Sequence, residues 1–162
     1  MLTSKLEAAQ KRIQRSNDPN FAWVIYDAAP WSPLTKPLEQ CTVALVSTCG
    51  LYRLDTQAPF DAWNDLGDPS FREIHVDTPR DRLRIAHSHY DHAHLAADLN
   101  VALPQDRFIR LAEEGAVGRL YPWMYSFMGY LPESRQLVTE TAPAVARRLA
   151  ADGVDAVFLT PC

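Results

Sequence analysis

Two short stretches constrain the fold of this chain more than any other feature. Residues 42–48 read Thr-Val-Ala-Leu-Val-Ser-Thr, and residues 154–160 read Val-Asp-Ala-Val-Phe-Leu-Thr. Both are nearly continuous runs of apolar and β-branched residues. A strand with one wet face alternates apolar and polar residues; one without that alternation suits burial on both faces, as in a parallel sheet covered by helices. The segments between them supply the helices. Residues 104–114 begin with proline and stop before Gly115, the usual asymmetry of a helix. Phe108, Leu111 and Ala112 give that helix an apolar face, with Arg107, Arg110, Glu113 and Glu114 opposite. Thr141 is placed to cap a second helix through Ala151, with Val145 and Leu149 on one face and Gly153 as the stop. Residues 72–76 and 83–86 read as two further short strands. The expectation is an α/β fold: an open, mostly parallel sheet with flanking helices, in one domain over residues 41–162 that leaves room for further helix–strand units.

Residues 1–40 read as an arm. Ser4 and Glu7 have capping-box spacing, and Leu6, Ala9 and Ile13 can share a helical face ending near Ser16-Asn17-Asp18-Pro19. Phe21 to Tyr26 follows, then Pro30, Pro33 and Pro37, which favour extended backbone. Trp23 and Trp31 are the natural anchors.

Composition excludes several functions. With 16 Lys and Arg against 20 Asp and Glu, the net charge is −4, and no basic footprint for nucleic acid is present. No apolar run reaches the ~18 residues that span a bilayer, and the N-terminus is polar rather than signal-like. The three cysteines, Cys41, Cys49 and Cys162, have no CxxC spacing and read as reduced thiols. Together these point to the cytoplasm, with neither membrane nor nucleic acid as partner.

Ligands of open α/β sheets bind outside the carboxyl ends of the strands. One presumed strand here ends at Cys49-Gly50, one at the segment His87 to His92, and one at Pro161-Cys162. If the three are parallel neighbours, their ends converge. The long irregular segment from Asp55 to Ser70 is a second place for function, since loops of that length in compact domains often carry it. His87, His89, Asp91 and His92 spell HxHxDH after the strand Arg84-Ile85-Ala86, a signature that can hold two zinc ions around an activated water. Against that metal-dependent hydrolase, the last of the five histidines is His94, so the downstream ligands of a two-zinc site are missing. Ala93-His94-Leu95 also stands where glycines usually follow.

Several segments in order carry a family resemblance. They are Pro33-Leu34, Lys36-Pro37-Leu38 and the run from Val43 to Tyr52; Pro59-Phe60; Gly67 to Ile74; His87 and Asp91; Asp98-Leu99-Asn100 and Pro104; Glu114-Gly115; Ser126 to Tyr130; and Gly153 to Pro161. Over about residues 30–162 the chain resembles the selenoprotein B subunits of glycine/sarcosine/betaine reductase and D-proline reductase. The resemblance implies reductive cleavage of a C–N bond in a small amino-acid-like substrate by dithiol or selenol chemistry. It implies a partner subunit whose pyruvoyl group binds the substrate amino group, and a thioredoxin-like reductant. No cofactor is implied in this chain itself. In the family, the stretch matching Leu159-Thr160-Pro161 leads into a selenocysteine and then a resolving cysteine. A selenol, like a low-pKa thiol, reacts as its anion.

Cys162 falls at or immediately before the selenocysteine position, and the expectation is that the reading frame continues past it through a UGA codon. Cys41 and Cys49 lie outside the motif and are not carried over as its resolving thiol. The catalytic candidates are therefore Cys162, Cys49, His87 and Asp91, with Gly50, Asp68, Arg72 and Asn100 as candidates for the substrate cleft. A catalytically inactive binding or regulatory relative is the alternative reading within the same fold, and a hydrolase using His87, His89, Asp91 and His92 is the alternative outside it.

Overall fold

The structure, a computed structural model, describes residues 3–16, 19–23 and 32–162. It divides into two compact units, residues 1–33 and 34–162.

In the first unit, helix α1 spans Ser4–Ser16. Its cap lies one residue earlier than the Ser4–Glu7 spacing predicts: Thr3 Oγ1 accepts from the Leu6 N–H at 3.4 Å. Phe21 and Trp23 fold back on the helix. The Trp23 indole donates to the Leu6 carbonyl at 3.1 Å, and Gln14 Nε2 donates to the Phe21 carbonyl at 2.7 Å. The run from Val24 to Trp31, including that second aromatic anchor, lies outside the described residues.

The second unit is an α/β sheet with helices on both faces. Its strands are β1 (Thr42–Ser47), β2 (Leu51–Arg53), β3 (Phe71–His75), β4 (Leu83–Ile85), β5 (Arg119–Leu120), β6 (Trp123–Phe127) and β7 (Ala156–Thr160). Its helices are α2 (Ala93–Ala97), α3 (Gln105–Glu113) and α4 (Ala142–Ala151). The main sheet is mixed and mostly parallel: β1 pairs parallel with β5, β6 and β7, and β3 closes the other edge antiparallel to β6. Every residue of β1 is buried, as its unbroken apolar run demands.

The period of two sorts β1 between two cores. Leu45 packs with Ile74, Met124, Leu95 and Leu103 on one face. Ala44 and Val46 pack with Tyr125, Phe127, Val145 and Leu149 beneath α4 on the other. β5 and β6 lie end to end along one side of β1, with a register slip of two residues between them: Thr42 faces Arg119, but Val46 faces Tyr125. Pro122 sits in that slip, and this proline together with the aromatic run around it hides the strand from pattern reading.

Three expectations are corrected. The strand leading to His87, β4, is not in the main sheet; it pairs antiparallel with β2, a strand too short for its pattern to announce. β7 is not buried on both faces. Among the described residues it pairs with β1 alone, and Val157, Phe158 and Leu159 are exposed. An apolar groove of about 400 Å³ runs between it and α4, lined by Val46, Val145, Leu149 and Leu159 among others. Thr141 does not cap α4. A π-helical turn, Leu137–Thr141, leads into that helix, and the Thr141 hydroxyl donates instead to the Pro69 carbonyl at 2.8 Å.

Candidate functional site

The carboxyl ends of β1 and β7 meet at two cysteines. Ser47 faces Thr160 in the parallel register, and continuing that register by two residues sets Cys49 opposite Cys162. Hydrogen bonds extend the pairing past the strand ends. The Thr48 N–H donates to the Thr160 carbonyl at 3.1 Å, and the Cys162 N–H donates to Thr48 Oγ1 at 2.9 Å. The two thiols lie close enough for each to shift the other's pKa. Cys49 is fully buried and Cys162 is exposed.

Gly50 joins this corner to the β2–β4 pair. Its N–H donates to the Phe127 carbonyl at 2.8 Å, and its carbonyl accepts from the Ala86 N–H at 2.9 Å. Gly50 has φ +72°, and a Cβ there would lie 2.5 Å from the Ala86 carbonyl oxygen, so both conformation and space require glycine. The next residue along from Ala86, His87, is buried against the same corner. Its Nε2 faces the N–H groups of Gly129 (3.2 Å) and Tyr130 (3.3 Å), and its Nδ1 faces the His89 N–H (3.1 Å). Gly129 in turn carries no side chain because a Cβ would lie 2.6 Å from the Cys162 carbonyl oxygen. Cys49, Gly50, His87 and Cys162 are thus brought together even though β4 belongs to a different sheet.

The electrostatics of the corner follow from these contacts. The hydrogen bond from the Cys162 thiol draws the Cys49 pKa down to about 7; burial works against it, and the Ser47 hydroxyl, the Leu51 N–H and the Ser126 hydroxyl add to the lowering. The same bond holds Cys162 well above the ordinary thiol range, helped by burial and by the charge on Cys49. The pair therefore loses its first proton from Cys49 and keeps the second on Cys162. The Tyr90 hydroxyl donates to the Cys49 carbonyl at 2.7 Å, and its pKa is raised by burial and then by the two thiols. Chemically, the corner can hold one sulfur anion where a free thiol would be mostly protonated.

The remaining positions singled out from sequence lie elsewhere. Asp91 is exposed and accepts from the Ala93 N–H at 2.9 Å at the start of α2. His89 is exposed and stacks on Tyr130 with ring centroids 3.6 Å apart, while His92 lies edge-on to Tyr90. Among the described residues, no three His, Cys, Asp or Glu side chains gather where a metal ion could sit. Asp68 and Arg72 organise the segment 55–70. Asp68 accepts from the N–H groups of Asp61 and Ser70, both at 2.9 Å. Arg72 donates to the carbonyls of Ala58, Pro59 and Phe71 and to Ser70 Oγ. Asn100 links Asp98 to Asp106 at the start of α3, 2.8 Å from each.

Sequence reasoning missed Ser47, Ser126 and Tyr90. Ser126 Oγ accepts from the Leu51 N–H at 2.8 Å, and Ser47 Oγ from the Cys49 N–H at 3.3 Å. A signal was present: a serine inside an apolar strand is a buried hydroxyl that must find a partner.

Fold and corner together define an α/β protein with paired thiols at the carboxyl ends of neighbouring parallel strands. Residues 17–162 match the glycine/sarcosine/betaine reductase selenoprotein B family, and the chain belongs to it. It is 37% identical over 130 residues to the D-proline reductase subunit gamma of Acetoanaerobium sticklandii, covering 80% of this chain and 52% of that protein. It is 29% identical over 141 residues to the glycine reductase complex component B subunit gamma of Carboxydothermus hydrogenoformans, and 28% identical over 146 residues to that of Symbiobacterium thermophilum. Each match covers 83% of this chain and about a third of the relative, 31% and 32%. The chain thus spans between about a third and about half of the curated relatives it matches. No solved structure matches it. Among the described residues no helix is long and apolar enough to cross a membrane.

The His87 contacts predict a pH dependence. A neutral imidazole offers one lone pair, and an imidazolium none, yet all three N–H groups around the ring are donors. Burial, and then the neighbouring His89 and His92, accordingly lower the His87 pKa. A base whose folded pKa lies below its unfolded value stabilises the fold fully above the unfolded pKa, about 6.5, and loses that contribution as pH falls toward the folded value. Urea unfolding between pH 8 and 5 is expected to show stability declining below pH ~6.5, by at most ~1.4 kcal/mol per pH unit for one proton. The decline should be weaker in His87→Gln; an equal slope in both chains would remove His87 as its source.

Proposed function

We propose that this chain is a subunit, or the N-terminal part of one, of a reductase of the glycine, betaine, sarcosine or D-proline type, which cleaves a C–N bond with thiol or selenol chemistry. The observation that carries this reading is the placement of Cys162. The Thr48 hydroxyl accepts from its N–H and holds it near Cys49 at the carboxyl end of β7, where the family resemblance puts the redox motif. On this reading the chain contributes the sulfur-lined corner. A pyruvoyl-type partner subunit binds the substrate amino group, and a thioredoxin-like protein returns the reducing equivalents. A selenol of the kind the family uses would supply an anion at neutral pH without needing a base. Cys49, Gly50, His87 and Cys162 shape that corner, while Asp91, Asp68, Arg72 and Asn100 hold turns and loops elsewhere in the fold.

The test is to express the gene with its neighbouring reading frames in a host that inserts selenocysteine. The expected product extends past Cys162, contains selenium, co-purifies with the pyruvoyl-type subunit, and couples dithiol oxidation to amine release. The protein purified without chelator is expected to hold no stoichiometric zinc. Two equivalents of zinc per chain, lost on His87→Ala or Asp91→Ala, would overturn the reading in favour of a hydrolase.

A further inference from the structure

We infer that Cys49 and Cys162 form an intramolecular dithiol–disulfide couple, in which exposed Cys162 takes up a disulfide from a low-molecular-weight or protein donor and buried Cys49 resolves it. The inference stands on the pairing geometry and does not depend on the reductase reading. Adjacent strands lie about 4.8 Å apart, inside the 4.4–6.8 Å range of Cα separations that a disulfide bridges. In a parallel pair, residues in register project to the same side, so the continued β1–β7 register aims both side chains together. The bond between Cys162 N–H and Thr48 Oγ1, together with that between Thr48 N–H and the Thr160 carbonyl, holds the exposed residue beside the residue that precedes Cys49.

The steps balance as thiol–disulfide exchange. The Cys162 sulfur attacks a disulfide R–S–S–R, forming Cys162–S–S–R, and the first RS⁻ leaves with the Cys162 proton. The Cys49 thiolate then attacks the Cys162 sulfur and expels the second RS⁻, which takes up the proton Cys49 gave up. Two protein thiols are oxidised by two electrons and one donor disulfide is reduced to two thiols; an incoming dithiol reverses both steps. The anion of the pair sits on Cys49, so Cys162 gives up its proton as it attacks, and Cys49 enters the second step already ionised.

Cys41 is the internal control. It is buried at the other end of β1, where its thiol donates to the Pro37 carbonyl at 3.4 Å, and no second cysteine faces it. The test incubates the 162-residue chain with oxidised glutathione and maps the cysteines by mass spectrometry under non-reducing conditions. The expected product is a Cys49–Cys162 disulfide carrying no glutathione, with Cys41 free. Cys49→Ser is expected to trap glutathione on Cys162, and Cys41→Ser to change nothing. Wild-type chain that retains glutathione on Cys162 while Cys49 stays reduced, or that forms a bond through Cys41, would overturn the inference; neither result requires any variant to fold.

Discussion

Replacing Gly50 with alanine is expected to lower the melting temperature by roughly 10 °C, while the same change at Gly115 lowers it by roughly 3 °C. Both glycines have positive φ, +72° and +74°. Holding an alanine in that left-handed region costs about 1–2 kcal/mol at either position. What separates them is space. An added Cβ at Gly115 meets nothing within 4 Å, whereas at Gly50 it lies 2.5 Å from a backbone oxygen of Ala86. That contact is with main chain, so no side-chain rotation relieves it. The β1–β2 connection or the strand leading to His87 must move, at a further ~1–3 kcal/mol. Thermal unfolding of the two variants beside wild type isolates the contact, because the conformational term is common to both. Equal losses would show that Ala86 does not press on Gly50, and the close joining of Cys49 to His87 would fall with it.

Arg72→Ala is expected to release the segment from Asp55 to Ser70. Chymotrypsin cleavage after Phe60 should rise on the order of 30-fold, corresponding to a loss of about 2 kcal/mol in local stability. Phe60 is buried in the intact chain, with the Arg72 guanidinium 4.1 Å above its ring. The guanidinium also spans the loop, donating to Ala58 and Pro59 on one side and to Ser70 and Phe71 on the other, with Asp68 at 4.0 Å. A planar fork is needed to reach these acceptors at once, so Arg72→Lys should cleave nearly as fast as Arg72→Ala although it keeps the charge. Wild-type resistance in Arg72→Lys would mean that charge, not the fork, orders the loop. Arg72 and Asp68 attract attention in the sequence as cleft residues; in the structure their hydrogen-bonding capacity is spent on the loop itself.

Local pattern was enough for much of this protein. The β1 run from Thr42 to Ser47, the helix from Gln105 to Glu113 between Pro104 and Gly115, and the α4 face of Val145 and Leu149 all sit where periodicity and terminal residues place them. Each of these signals is carried by consecutive residues, so no partner is needed to read it. The carboxyl-end rule likewise singled out Cys49, Gly50, His87 and Cys162. The aspartates are harder to read: Asp68 and Asp91 are as suited chemically to holding turns as to catalysis, and the N–H groups they accept from are set by the fold.

Pairing between distant segments is what the linear chain does not display. Whether β7 lies in the middle of the sheet or at its edge depends on which strands flank it, and its apolar run reads the same either way. β2, β5 and β6 are short or interrupted by proline, and they become strands because β4 and β1 offer them hydrogen-bond partners. The meeting of Cys49 with Cys162 has the same origin. Both strand ends are visible in the sequence, but the register that sets one thiol opposite the other is decided by hydrogen bonds between residues more than a hundred positions apart, formed only when the sheet closes.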